Sequence, residues 1–124
     1  VLPGVALAAP PAPAPTSCIL KDHRVTGVRA LHVVERNGRG ANHRLAGAEV
    51  FVQAEPGLTA EWLQLTIQRH IAQMSTTNMG DCPLDLNDVR VSVASAGPGF
   101  AVMLSAKNPV QAKEVLRRAE LLAR

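Results

Sequence analysis

His70, Met74, Met79 and Cys82 lie within one short stretch, RHIAQMSTTNMGDC. Imidazole and thioether side chains are donors that together suit Cu(I). Thiols oxidise outside the cytosol, so an exported copper carrier would rely on His70, Met74 and Met79. His70 and Met74 are four residues apart, which makes them neighbours on a helix. The competing reading is structural. A methionine at the end of an apolar stripe fills gaps in a core, and a buried histidine is normally satisfied by one carbonyl or carboxylate. Copper at this site is the one cofactor the residues suggest; otherwise none is expected.

Other constellations are weaker. His32 and His43 flank a turn and can approach each other across it, but a Zn²⁺ or Cu²⁺ site there lacks a third ligand and a closed zinc spacing. Asp81, Asp85, Asn87 and Asp88 crowd one loop without the register or distant glutamate of a calcium loop. There is no nucleophile elbow, zinc-protease helix, P-loop or C-x-x-C pair. Asn37-Gly38-Arg39-Gly40 and Gly97-Pro98-Gly99 read as strand-to-strand turns, so they make no phosphate cradle. No catalytic residue is expected, and the chain reads as a non-enzyme.

Composition narrows the partners. The 124 residues, 47% hydrophobic and 19% charged, suit a single domain with a real core. Net charge is +3, and the basic residues are scattered. With two Phe, one Trp and no Tyr, the chain has few platforms for stacking bases. Nucleic acid is therefore not an expected partner. No stretch of about 18 apolar residues exists, so no transmembrane helix is expected.

The N-terminal residues differ from the rest. Val1 to Ala8 are small and apolar, and Ala6-Leu7-Ala8 has the small-x-small form of a signal-peptidase site. Ala9 to Pro15 alternate Ala and Pro, as in a polyproline-II tether. Residues 1–17 thus read as a signal-peptide remnant and disordered tether on a chain cut from a longer one, and 18–124 as one domain. The expected location is periplasmic or extracellular. Two lone cysteines fit that location, and Cys18 and Cys82 are expected to pair. Closing so long a loop stabilises by roughly 4 kcal/mol in the chain-entropy account. A lipoprotein reading of Thr16-Ser17-Cys18 is disfavoured by the proline tract before it.

The elements follow from periodicity. Val25 to Glu35 and Arg44 to Ala54 alternate as two strands around the Asn37–Gly40 turn. Thr59 is a good N-cap for a helix from Ala60 to Met74, whose stripe is Leu63, Ile67, Ile71 and Met74. His70 lies about 20° from Leu63 on the helical wheel, in or beside that stripe. Val89, Val91 and Val93 form a third strand, and Phe100, Val102, Leu104 and Ala106 a fourth. Asn108-Pro109 starts a last helix that carries Ala112, Val115, Leu116, Ala119, Leu122 and Ala123 on one face. The order ββαββα implies an α+β two-layer sandwich: a four-stranded antiparallel sheet with two helices on one face. Alternation then places Leu31, Val33, Leu45, Phe51 and Met103 on the opposite face. As one patch they are too apolar for water, so a second copy packing face to face, or the N-terminal tether folding across, is expected to cover them. The expectation is an interaction module that works through this face, by self-association face to face or by contact with another envelope protein.

Overall fold

In the computed structural model, residues 18–73, 82–86 and 88–124 are described. The segment 1–17, Met74, Met79, Asp81 and Asn87 lie outside them. The elements are a 3₁₀ turn Ile19–Asp22, β1 Val25–Asn37, β2 Gly40–Gln53, α1 Ala60–Gln73, β3 Arg90–Ala96, β4 Gly99–Ser105 and α2 Pro109–Leu122. All strand pairs are antiparallel, in the order β1-β2-β4-β3, and both helices pack on the sheet. This is the expected ββαββα sandwich.

Local chemistry accounts for the helix starts. Thr59 Oγ1 accepts from the Trp62 N–H at 3.1 Å, and Asn108 Oδ1 from the Val110 N–H at 2.8 Å, with Pro109 at the first helical position. Leu63 and Ile67 of α1 and Ala112, Val115 and Ala119 of α2 bury completely against Ala48, Val50, Val52, Val102 and Leu104 of the central strands. Burying a side chain the size of Leu63, Ile67 or Val115 is worth roughly 1.5–3 kcal/mol, so these positions hold the two layers together.

Cys18 and Cys82 form a disulfide, with Cα atoms 5.4 Å apart and a sequence separation of 64. Beside it Leu20 is fully buried. Arg118 of α2 donates from Nη1 to the carbonyls of Cys82 at 3.2 Å and Asp85 at 3.1 Å, and from Nε to Glu114 at 2.8 Å. It thereby holds the Cys82–Asp85 turn against α2. Two arginines on one carboxylate have a further effect. Hydrogen bonds from Arg117 and Arg118 depress the Glu114 pKa to about 2.

One feature of the sheet departs from simple alternation. Between the pairs Leu31–Gly47 and His32–Leu45, β2 carries one extra residue, Ala46. This bulge reverses the phase of β2 toward the hairpin tip. Leu45 falls opposite His32, on the helix side, and is not part of the open face as alternation had placed it. Arg44 takes the open side and pairs with Glu35 at 2.6 Å. Gly47 permits the bulge, because a Cβ there would collide with the Leu104 carbonyl.

Candidate functional site

The sheet face away from the helices is ordered in rows across β1, β2, β4 and β3. One row is Gly27, Phe51, Ala101 and Ala94; the next is Arg29, Glu49, Met103 and Ser92; the third is Leu31, Gly47, Ser105 and Arg90. Beyond them Val33 pairs with Arg44 in the hairpin tip. Leu31, Val33, Phe51 and Met103 therefore share this face, as expected. The face is less apolar than alternation suggested, because an ion pair occupies its middle. Arg29 Nε lies 3.0 Å from Glu49 Oε2, and the guanidinium sits 5.4 Å from the centre of the Phe51 ring. All four apolar side chains are half-buried.

The most exposed large apolar side chains lie elsewhere. Val34 is 53% exposed on the helix side of the hairpin, and Trp62 and Leu65 are 51% and 62% exposed on α1. Trp62 also meets the His23 ring edge-on, with centroids 6.4 Å apart. Trp62 and Leu65 are i, i+3 neighbours on the solvent side, a pair the core stripe draws attention away from. Their spacing was the available signal.

His70 is buried, 6% exposed, on the α1 stripe. Its Nε2 accepts from the backbone N–H of Ile19 at 3.4 Å, at the long end of the hydrogen-bond range. The histidine is thus satisfied by a main-chain donor, not by the carbonyl or carboxylate first considered. Accepting requires an unprotonated Nε2. Burial lowers the pKa of the imidazole, and the charges of Asp22 and Asp85 oppose that in part. The Nε2 lone pair is engaged by that hydrogen bond, and Met74 and Met79 lie outside the described residues. Among those residues no group of three His, Cys, Asp or Glu side chains could hold a metal ion. His32 and His43 do share a face: His32 pairs with Leu45 and His43 with Val34, which makes the two imidazoles diagonal neighbours. Among the described residues no helix is long and apolar enough to cross a membrane.

The two sheet edges differ. In β3 the residues that bond to β4 alternate with residues whose main-chain groups look outward. Val93 is one of the latter, and its N–H donates to Gln64 Oε1 of α1 at 3.2 Å. In β1 the same bookkeeping applies. The Ala106 N–H bonds to the Ala46 carbonyl and the Gln53 N–H to the Arg24 carbonyl. Alternate β2 residues therefore serve β4 and β1. Gly27, Arg29 and Leu31 turn their main-chain groups to β2, and Val28, Ala30, His32, Val34 and Arg36 turn theirs outward. Among the described residues β1 pairs with β2 alone.

Comparison of the chain with protein-family models, curated proteins and solved structures found no match.

Proposed function

We propose that this chain is a non-catalytic protein-interaction module of an oxidising compartment, periplasmic or extracellular, and that the open sheet face is its contact surface. The observation that carries this reading is the row pattern of that face. Leu31, Val33, Phe51 and Met103 surround one ion pair, Arg29–Glu49, on a side of the sheet that neither helix covers. Aromatic and methionine anchors among a few placed charges are what protein interfaces use. The buried Cys18–Cys82 bridge supports the compartment, since disulfides persist where the surroundings are oxidising.

Photo-crosslinking tests the surface. A benzophenone amino acid replaces Met103 in one variant and Trp62 in another, each in the chain as its producing cells make it. A discrete protein adduct at Met103 and none at Trp62 is expected. Adducts at Trp62 alone would move the contact surface to α1, and none at either position would end the reading.

A further inference from the structure

We infer that β1 is a self-association edge: two copies of this chain pair their β1 strands antiparallel about a two-fold axis through His32, joining their sheets into one of eight strands. This goes beyond the open-face reading and does not depend on it.

The argument begins with unspent hydrogen bonds. The outward N–H and C=O groups of Val28, Ala30, His32, Val34 and Arg36 form a regular row at the end of the sheet. Proteins usually blunt such an edge with proline, a bulge, an inward charge or a cover. β3 has its cover in Gln64 of α1. From Val28 to Arg36 β1 has no proline, and the one bulge in its own strand lies earlier, between Val25 and Gly27.

The side chains then choose the occupant and the register. An antiparallel two-fold pairs residues whose numbers sum to a constant. Centred on His32, it sets Arg29 opposite the partner's Glu35, and Leu31 opposite the partner's Val33, each contact occurring twice. The outward-facing residues also meet: Val28 the partner's Arg36, Ala30 the partner's Val34, and His32 the partner's His32. Centring on Leu31 sets Arg29 against the partner's Val33 and Glu35 against its Gly27, and centring on Val33 sets Arg29 against the partner's Asn37 and Glu35 against its Leu31, so neither register pairs opposite charges. Charge complementarity therefore selects a second copy and one register. Arg29 already pairs with Glu49 and Glu35 with Arg44. The union gives Glu49, Arg29, the partner's Glu35 and the partner's Arg44, four charges of alternating sign across four neighbouring strands. Opposite charges facing across strands are favourable, and like charges in those places are not. Pairing of this kind is strand addition at an open edge, with main-chain bonds giving affinity and side chains giving register.

Cysteine cross-linking and sedimentation of the full chain test the inference. The native cysteines are paired and buried, so an introduced thiol reports alone. With diamide as oxidant, His32→Cys should form a covalent dimer about ten-fold faster than Arg36→Cys, whose two copies would lie too far apart along the strands for a disulfide. Equal rates, or no dimer from His32→Cys, would overturn the register and with it the proposal. In sedimentation equilibrium, Ala30→Pro removes an outward N–H at a position where an edge strand tolerates proline. It should abolish the dimer of the otherwise native chain, while Phe51→Glu leaves the dimer intact. The opposite pattern would show face-to-face association and overturn the edge proposal, and a wild-type chain that stays monomeric at all concentrations would do the same.

Discussion

The two edges of this sheet are finished in different ways. On the β3 side the chain closes its own hydrogen bonds: α1 lies alongside, and Gln64 reaches the Val93 N–H. The Cys18–Cys82 bridge, buried Leu20 and the Arg118 clamp consolidate the turn that leads into that strand. On the β1 side a 13-residue strand runs past the end of β4 and, among the described residues, pairs with β2 alone. The same sheet thus shows that its sequence can cover an edge, and among the described residues it does so at β3. What β1 leaves open is a ladder of donors and acceptors with alternating charges beside it. The difference separates the side that holds the domain together from the side left to meet another chain.

If that division is right, the largest stability loss should come from the covered side. Replacing Cys18 and Cys82 with serine releases a loop spanning 64 residues of sequence separation. It should cost about 4 kcal/mol in the chain-entropy account. Urea denaturation measures the loss. At concentrations where the variant is still folded, its sedimentation should match that of the bridged chain. A loss below about 1 kcal/mol would mean that Leu20 and the Arg118 clamp hold this region without the bridge. Altered association would mean that the two edges are coupled.

A smaller effect tests the same region by pH. Burial lowers the His70 pKa, so the folded chain keeps the ring neutral after the unfolded chain has taken up its proton. Stability is therefore complete above the ordinary histidine value of about 6.5 and falls as pH drops below it, with a limiting slope of about 1.4 kcal/mol per pH unit. Protonation also ends the acceptor role of Nε2 toward the Ile19 N–H. His70→Gln keeps a polar partner for that N–H but cannot titrate. Urea midpoints measured from neutral to mildly acidic pH should fall more steeply for wild type than for the variant. Parallel curves would assign the acid sensitivity to other groups.

Element order, the two caps and the buried position of His70 could be read directly, because they rest on period and on residues close in sequence. What stayed hidden depends on long-range pairing. The Ile19 N–H that satisfies His70 is 51 residues away in sequence, and no local pattern points to it. The Ala46 bulge inserts one residue into an otherwise regular strand and so moves Leu45 to the helix side; Gly47 was its only trace. β2 begins at Gly40 and not at Arg44 because Asn42 and His43 have no apolar alternation of their own. Pairing with Glu35 and Val34 carries them into the ladder. That β1 and β3 are the edges follows from the order β1-β2-β4-β3, to which hydrophobic phase is blind.

The finest test of the contrast is to undo the cover. Gln64→Ala removes the acceptor from the half-buried Val93 N–H, a loss of about 1 kcal/mol where a donor is stranded and water reaches it only in part. Amide exchange at Val93 should then quicken by about five-fold, the same energy expressed as a local opening equilibrium. Association gives the sharper readout. β3 presents seven residues against the 13 of β1, and with Arg90 its one charged residue it brings no opposite charges to a second copy. Uncovering it should therefore leave the chain a dimer that Ala30→Pro still dissolves. If Gln64→Ala instead produced assemblies that persist in the Ala30→Pro background, β3 would be as competent an edge as β1. The cover, and not the charge pattern of β1, would then be what directs pairing to one side of the sheet.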